Sequence, residues 1–222
     1  MFRHLDEELK ELHKDILKMA VFAQESIFKS VESLKNRDQA LAQAVIENDN
    51  NIDELELAID EKCIDLIARY QPMAGDLRYI TTGMKINAEL ERIADIALDI
   101  SQKSLELMKK PLLKPLVDIP KLSQVAQDMV RNAIDAFVKR DALLARQVVL
   151  ADSEADRLRN LIQDELINEY LARDPKTADR AVALLLIGRY LERICDHTTN
   201  IAEDVIYMVE AKVVKHHPEE LK

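Results

Sequence analysis

The sequence predicts an all-α protein made of two pseudo-symmetric three-helix bundles. Three observations carry that prediction. Apolar residues recur every three or four positions through most of the chain, the spacing of a buried helix face. Three glycines in 222 residues leave too few hairpin turns for a many-stranded sheet. The residue pattern of the first half returns in the second at a nearly constant offset, the mark of an internal duplication.

Leu5, Leu9, Leu12, Ile16, Met19, Ala23, Ile27, Val31 and Leu34 line one face of a first helix of about 30 residues, roughly 45 Å long at 1.5 Å per residue. Lys35-Asn36-Arg37 breaks the rhythm, and Asp38 has the chemistry of an N-cap. A second helix carries Leu41, Val45, Ile52, Leu55, Ile59 and Leu66, and ends at Gln71-Pro72 because a residue before proline disfavours the helical region. Gly75-Asp76 restarts a third helix through Ile80, Met84, Leu90, Ile93, Ala97 and Ile100. Pro111, Pro115 and Pro120 then interrupt the chain. The expected organisation is a first bundle over 1–110, a proline-rich linker over 111–120 and a second bundle over 121–222. Its helices run from about Leu122 to Lys139, from Asp141 to near Asp174-Pro175, and from Thr177 past Val209.

The duplication is legible residue by residue. Asp38 matches Asp141, Val45 matches Val148, Asp49 matches Asp152, Asp53 matches Asp156 and Pro72 matches Pro175, all 103 positions apart. Leu90-Glu91-Arg92-Ile93-Ala94-Asp95 matches Leu191-Glu192-Arg193-Ile194-Cys195-Asp196 at an offset of 101.

Composition narrows the function. Apolar residues make up 48% of the chain, too many for a disordered protein. The 41 acidic and 31 basic residues give a net charge of -10, which argues against nucleic acid as a partner. The N-terminal MFRHLDEELK has no apolar core of a signal peptide, and the longest apolar run, Ala181 to Gly188, falls far short of a membrane span. A cytoplasmic protein is therefore expected, with Cys63 and Cys195 as buried thiols.

The acids are concentrated. Asp49/Asp53, Glu91/Asp95, Asp152/Asp156 and Glu192/Asp196 are i, i+4 pairs, each stacked on one helix face. Several stand where the apolar rhythm calls for core, as in Ile80, Met84, Asn87, Glu91, Asp95, Leu98. Each bundle has one pair on its second helix and one on its third, so facing pairs form a four-carboxylate cage. Buried like charges need cations, and carboxylate oxygens suit hard ones such as iron, manganese, magnesium or calcium. Arg92 and Arg193 are the competing neutralisers. Asp99 and Asn200, equivalent residues eight positions past the motif glutamates, join the metal candidates. His197 reads as a ligand or an interhelical hydrogen bonder, and His4, His13, His216 and His217 read as surface. No phosphate loop, dinucleotide fingerprint or catalytic triad is present.

At this point the residues carry a resemblance. Gln71-Pro72-Met73-Ala74-Gly75-Asp76-Leu77-Arg78 with the Leu90–Asp95 block, and Tyr190–Glu203 with its second copy, resemble the PhoU family over the whole chain. The resemblance implies paired three-helix bundles and multinuclear metal clusters on Glu91, Asp95, Glu192 and Asp196, completed by Asp49, Asp53, Asp152 and Asp156. Iron is the metal it implies first, with manganese, magnesium, zinc or calcium as alternatives. It also implies a non-enzymatic cytoplasmic adaptor that contacts a phosphate-specific ABC transporter and a phosphate-sensing histidine kinase, represses the phosphate-starvation response, and pairs as a homodimer. The rival reading is a di-metal carboxylate enzyme of ferritin-like type. Such enzymes carry a Glu-x-x-His motif, whereas Ala94 and Cys195 stand three residues after Glu91 and Glu192. Departures from the family pattern are Asp174-Pro175-Lys176-Thr177 at the second corner, Ala211 where glycine is common, and Asp99 against Asn200, which makes the two sites unequal by one charge.

Overall fold

A computed structural model describes residues 4–215; His216 and His217 lie outside them. Helices α1 (His4–Asn36), α2 (Gln39–Tyr70) and α3 (Ala74–Met108) form the first bundle. Helices α4 (Asp118–Lys139), α5 (Ala142–Glu165) and α6 (Ala178–Glu210) form the second. Two expected boundaries move. α4 starts at Asp118 and takes Pro120 into its first turn, where the missing N–H costs nothing because the first four amides of a helix have no partner in it. α5 stops at Glu165 and continues as a π-helical turn, Leu166–Leu171, sealed by Ala172 N donating to Ile167 O at 2.9 Å. Pro175–Thr177 then makes a 3₁₀ turn into α6.

The two corners between first and second helices are built alike. Arg37 and Arg140 take positive φ of 54° and 52°, and the next residue caps the next helix. Asp38 accepts from the amides of Ala40 (2.9 Å) and Leu41 (3.1 Å), and Asp141 from those of Leu143 (2.9 Å) and Leu144 (3.0 Å). Asp38→Ala and Asp141→Ala are each expected to cost about 1 kcal/mol of stability. The corners are far apart, so the double variant should lose the sum. Urea denaturation measures this, and losses under about 0.3 kcal/mol per site would show that water replaces the carboxylate at no cost.

The connection between the bundles is pinned. Lys114, 8% exposed, pairs with Glu165, and Lys110 pairs with Asp179. Arg37 Nη2 donates to the carbonyls of Met108 (2.5 Å) and Lys110 (2.8 Å), tying the first corner to the end of α3.

Packing makes four helices inner and two outer. α2 packs on α1 and α3, and α5 on α4 and α6. The bundles meet along a seam in which α1 faces α4 and α3 faces α6. One hydrophobic core runs through both bundles, from Leu12, Ile16 and Ile27 to Phe137, Ile187 and Ile201. Among the described residues no helix is long and apolar enough to cross a membrane. Cys63 and Cys195 are free buried thiols; burial pushes the Cys63 thiol up to about 12 and also raises that of Cys195.

His13 is not a surface histidine. It sits half-buried in the seam, its Nδ1 2.9 Å from the Tyr79 hydroxyl and its ring stacked on Phe137 at 6.0 Å. The α1 stripe shows His13 one residue off the apolar face, and that flank of the helix is covered by α3 and α4. Asp6 and Lys10 of α1, Asp76 and Tyr79 of α3, and Arg140 at the end of α4 surround it. Burial, and then the Arg140 charge, hold its pKa below the usual 6.5. A depressed base favours the fold above its unfolded pKa and loses that stability as pH falls through the folded one. The protein should therefore lose more stability between pH 7 and pH 5 than a His13→Gln variant. Superimposable pH profiles would dismiss the seam histidine as a contributor.

Candidate metal centre

In the first bundle α2 and α3 turn their acids toward one another. One carboxylate oxygen from each of Asp49, Asp53 and Asp95 lies within 4.8 Å of the other two. Oxygens on opposite sides of one hard cation, each at about 2.0–2.6 Å, stand roughly 4–5 Å apart, so the donor set fits such an ion. Glu91 belongs to the same cluster: burial, and then the Asp95 charge, push its pKa up to about 7. Asp49 is raised by burial, then by Asp53 and Asp95. Each of these shifts records a carboxylate that lacks enough positive charge nearby. Arg92 reaches Glu91 at 3.6 Å and Asp95 at 3.7 Å, but its side chain is 63% exposed and it neutralises weakly from the rim.

Sequence reasoning missed Glu56. Its pKa is raised by burial and then by Asp60, Asp53 and Asp95, so it faces the same cluster. The signal was available: Glu56 follows Asp49 by seven residues and Asp53 by three, on one side of α2. Asn87 braces the same face, its fully buried amide donating to Glu56 O at 2.9 Å and Asp60 Oδ1 at 3.1 Å. Asp99 lies further along α3, raised by burial and by Asp95, and opposed by Arg193 and Lys103.

The second bundle holds the equivalent acids in different company, and among the described residues no three of their ligand atoms converge as those of Asp49, Asp53 and Asp95 do; Asp156 and Asp196 are exposed. Asp152 is pushed up to about 6 by burial, then by Asp196 and Asp156. Glu192 and Asp196 are raised by burial as well. Yet Glu192, alone among the eight paired acids in being buried, is ion-paired: Arg189 hydrogen-bonds its Oε1, and Arg159 Nη2 stands 3.7 Å from the same oxygen. Neither arginine is one of the expected neutralisers, Arg92 and Arg193. Their local signal is the i, i+3 spacing of Arg189 to Glu192 and of Asp156 to Arg159.

Asn200 joins a different group. Its amide nitrogen approaches the Glu89 carboxylate at 3.3 and 3.4 Å across the α3–α6 seam, and His197 Nδ1 donates to Glu89 Oε2 at 2.6 Å. His197 is thus the interhelical hydrogen bonder of its two readings. Burial alone would raise the Glu89 pKa; the bonds from His197 and Asn200 outweigh it, and the net shift is downward. The repeat equivalents of His197, Glu89 and Asn200 are Ile96, Tyr190 and Asp99, so this contact exists on one side of the pseudo-two-fold.

The PhoU domain model matches the chain twice, over residues 16–104 and 119–205. Similar proteins include a phosphate-specific transport system accessory protein PhoU homolog of Aquifex aeolicus, 41% identical, with 96% of each chain covered. A second is PhoU homolog 2 of Thermotoga maritima, 34% identical over 100% of this chain and 94% of the other. Among solved structures, PhoU from Pseudomonas aeruginosa superposes with a TM-score of 0.90 at 35% identity, covering 94% of this chain and 100% of that one. The phosphate transport system regulatory protein PhoU from Streptococcus pneumoniae does so with 0.88 at 26%, covering 95% and 99%.

Proposed function

The chain belongs to the PhoU family, and from that premise we propose that it is a cytoplasmic, non-enzymatic regulator of phosphate transport whose acid clusters hold hard metal cations. The observation that carries the metal reading is the convergence of Asp49, Asp53 and Asp95 oxygens within 4.8 Å. Glu91 and Glu56 complete that donor set, and iron is the first candidate, ahead of manganese, magnesium, zinc and calcium. The bound cation supplies positive charge inside the bundle; it holds α2 against α3 and leaves the chain's outer faces to engage partners. Those partners are the phosphate-specific ABC transporter and the phosphate-sensing histidine kinase, and the outcome is repression of the starvation response when phosphate is plentiful. A second copy of the chain, as a homodimer, belongs to the same reading.

Two measurements test it. Elemental analysis of untagged protein should find metal that falls by at least half in Asp49→Asn/Asp95→Asn; equal metal in both proteins sinks the site. In a bacterium lacking its own homologue, the chain should restore repression of a phosphate-starvation reporter in phosphate-rich medium. A folded, expressed chain that leaves the reporter fully active sinks the regulatory role.

A further inference from the structure

The two bundles differ in the groove between their second and third helices. In the second bundle Ile162 of α5, Ile167 of the π turn, and Val182, Leu185 and Leu186 of α6 line an open apolar groove of about 490 Å³. Ile162 is its buried floor, whereas Ile167 (39% exposed), Val182 (46%) and Leu186 (38%) meet water on one surface. The scaffold does not require this. The repeat equivalents of Gln163, Val182 and Leu186 are Asp60, Thr81 and Lys85, so the same place in the first bundle is polar.

Two arginines are the only charged side chains among the described residues that line the groove. Arg159 precedes Ile162 on α5, Arg189 follows Leu186 on α6, and both approach Glu192, so they stand at the same end. That places them between the groove and the acids beyond it. Arg189 hydrogen-bonds Glu192 with one nitrogen while its side chain stays 54% exposed, so other N–H groups remain for an incoming acceptor. On a chain of net charge -10 this positive lip suits carboxylates. The size of the groove narrows the occupant further. Four aliphatic side chains, none more than half exposed, fall far short of the roughly 800 Å² per partner that a stable dimer buries. A single helix fits. α5 and α6 pack side by side and leave a trough for a third helix. Val182, Leu186 and Arg189 span about 10 Å along α6, two turns, the footprint of anchors at i, i+3 or i+4, and i+7.

We propose that this groove docks an amphipathic helix of a protein partner. Its aliphatic side chains lie on Val182, Leu185, Leu186 and Ile167, and one or two carboxylates at its end reach Arg189, backed by Arg159. The proposal rests on the reading above for the existence of a protein partner, and it needs no metal.

The probe is a fluorescein-labelled helical peptide of about 14 residues, with leucines along one face and two glutamates in its last turn. A twin peptide carries glutamine in place of both glutamates. In fluorescence anisotropy at low salt the glutamate peptide should bind with a Kd below about 100 µM, and about threefold tighter than its twin, the scale of a partly exposed charge pair. Val182→Thr/Leu186→Gln changes two exposed side chains, so it should keep the parent's melting temperature and weaken both peptides by about tenfold or more. Arg189→Ala, which installs the first bundle's residue type, should bind both peptides alike. No saturable binding to the parent, undiminished binding to the groove variant, or a glutamate preference that survives Arg189→Ala overturns the proposal. Self-association of the parent in sedimentation that Val182→Thr/Leu186→Gln abolishes gives the groove to a second copy, and overturns it as well. Peptide binding that stands while the starvation reporter stays fully active sinks the regulatory role alone and leaves the groove assigned.

Discussion

Replacing Phe137 with alanine is expected to cost about 3–5 kcal/mol, the range for deleting a large buried ring. Phe137 is fully buried near the end of α4, stacked on Tyr79 of α3 at 5.1 Å and on His13 of α1 at 6.0 Å. One ring of the second bundle is thus seated between two helices of the first. Arg140, one turn on, lies over the Tyr79 ring at 5.2 Å and closes the stack from outside. For a chain of this size each kcal/mol shifts the melting temperature by roughly 2–4 °C, so a fall on the order of 10 °C follows. The loss should also exceed that of Phe137→Leu, which keeps most of the volume. Calorimetry decides, and a fall under about 2 °C would show that the seam does not depend on this ring.

The other large effect is expected from metal. A ligand that binds the native state alone, free at a thousandfold excess over its Kd, adds about 4 kcal/mol. Protein stripped with a chelator and verified metal-free should therefore melt roughly 8–16 °C below reloaded protein. The first acid set should account for the larger part of the gap, so Asp49→Asn/Asp95→Asn should show a much smaller difference in melting temperature with and without metal than the parent does. That variant should also be more stable than stripped parent protein, because it removes two mutually repelling charges. An identical melting temperature for stripped and reloaded parent protein would end the idea that the cation holds α2 to α3.

What the sequence made legible follows from the range of the interactions involved. Helix faces, the Asp38 and Asp141 caps and the 103-residue repeat are local or periodic, and each was readable before any coordinate. The acid pairs were readable because i, i+4 spacing puts two carboxylates on one face. Glu56, Arg159 and Arg189 also sit at readable spacings, but a search for acids that recur in both halves passes over residues that differ between them. Asn200, read as a metal candidate, and His197, read as a ligand or an interhelical hydrogen bonder, could not be assigned to their seam contact for another reason. Their partner Glu89 is more than a hundred residues away and faces them because α3 and α6 are adjacent, which no local pattern encodes. The helix boundaries at Pro120 and Glu165 moved because proline is tolerated in a first turn and because a π turn breaks the register without a breaker residue.

The seam pairs each inner helix with its own repeat equivalent, α1 with α4 and α3 with α6. That is the contact rule of an isologous dimer, in which one patch meets its own copy. In a symmetric dimer of one three-helix subunit any substitution appears on both sides at once. Fusion into one chain lifts that constraint. Glu56 against Arg159, Ile96 against His197 and Gly188 against Asn87 are differences a symmetric pair could never hold. The tandem arrangement is what allows the two acid clusters to stand among different neighbours.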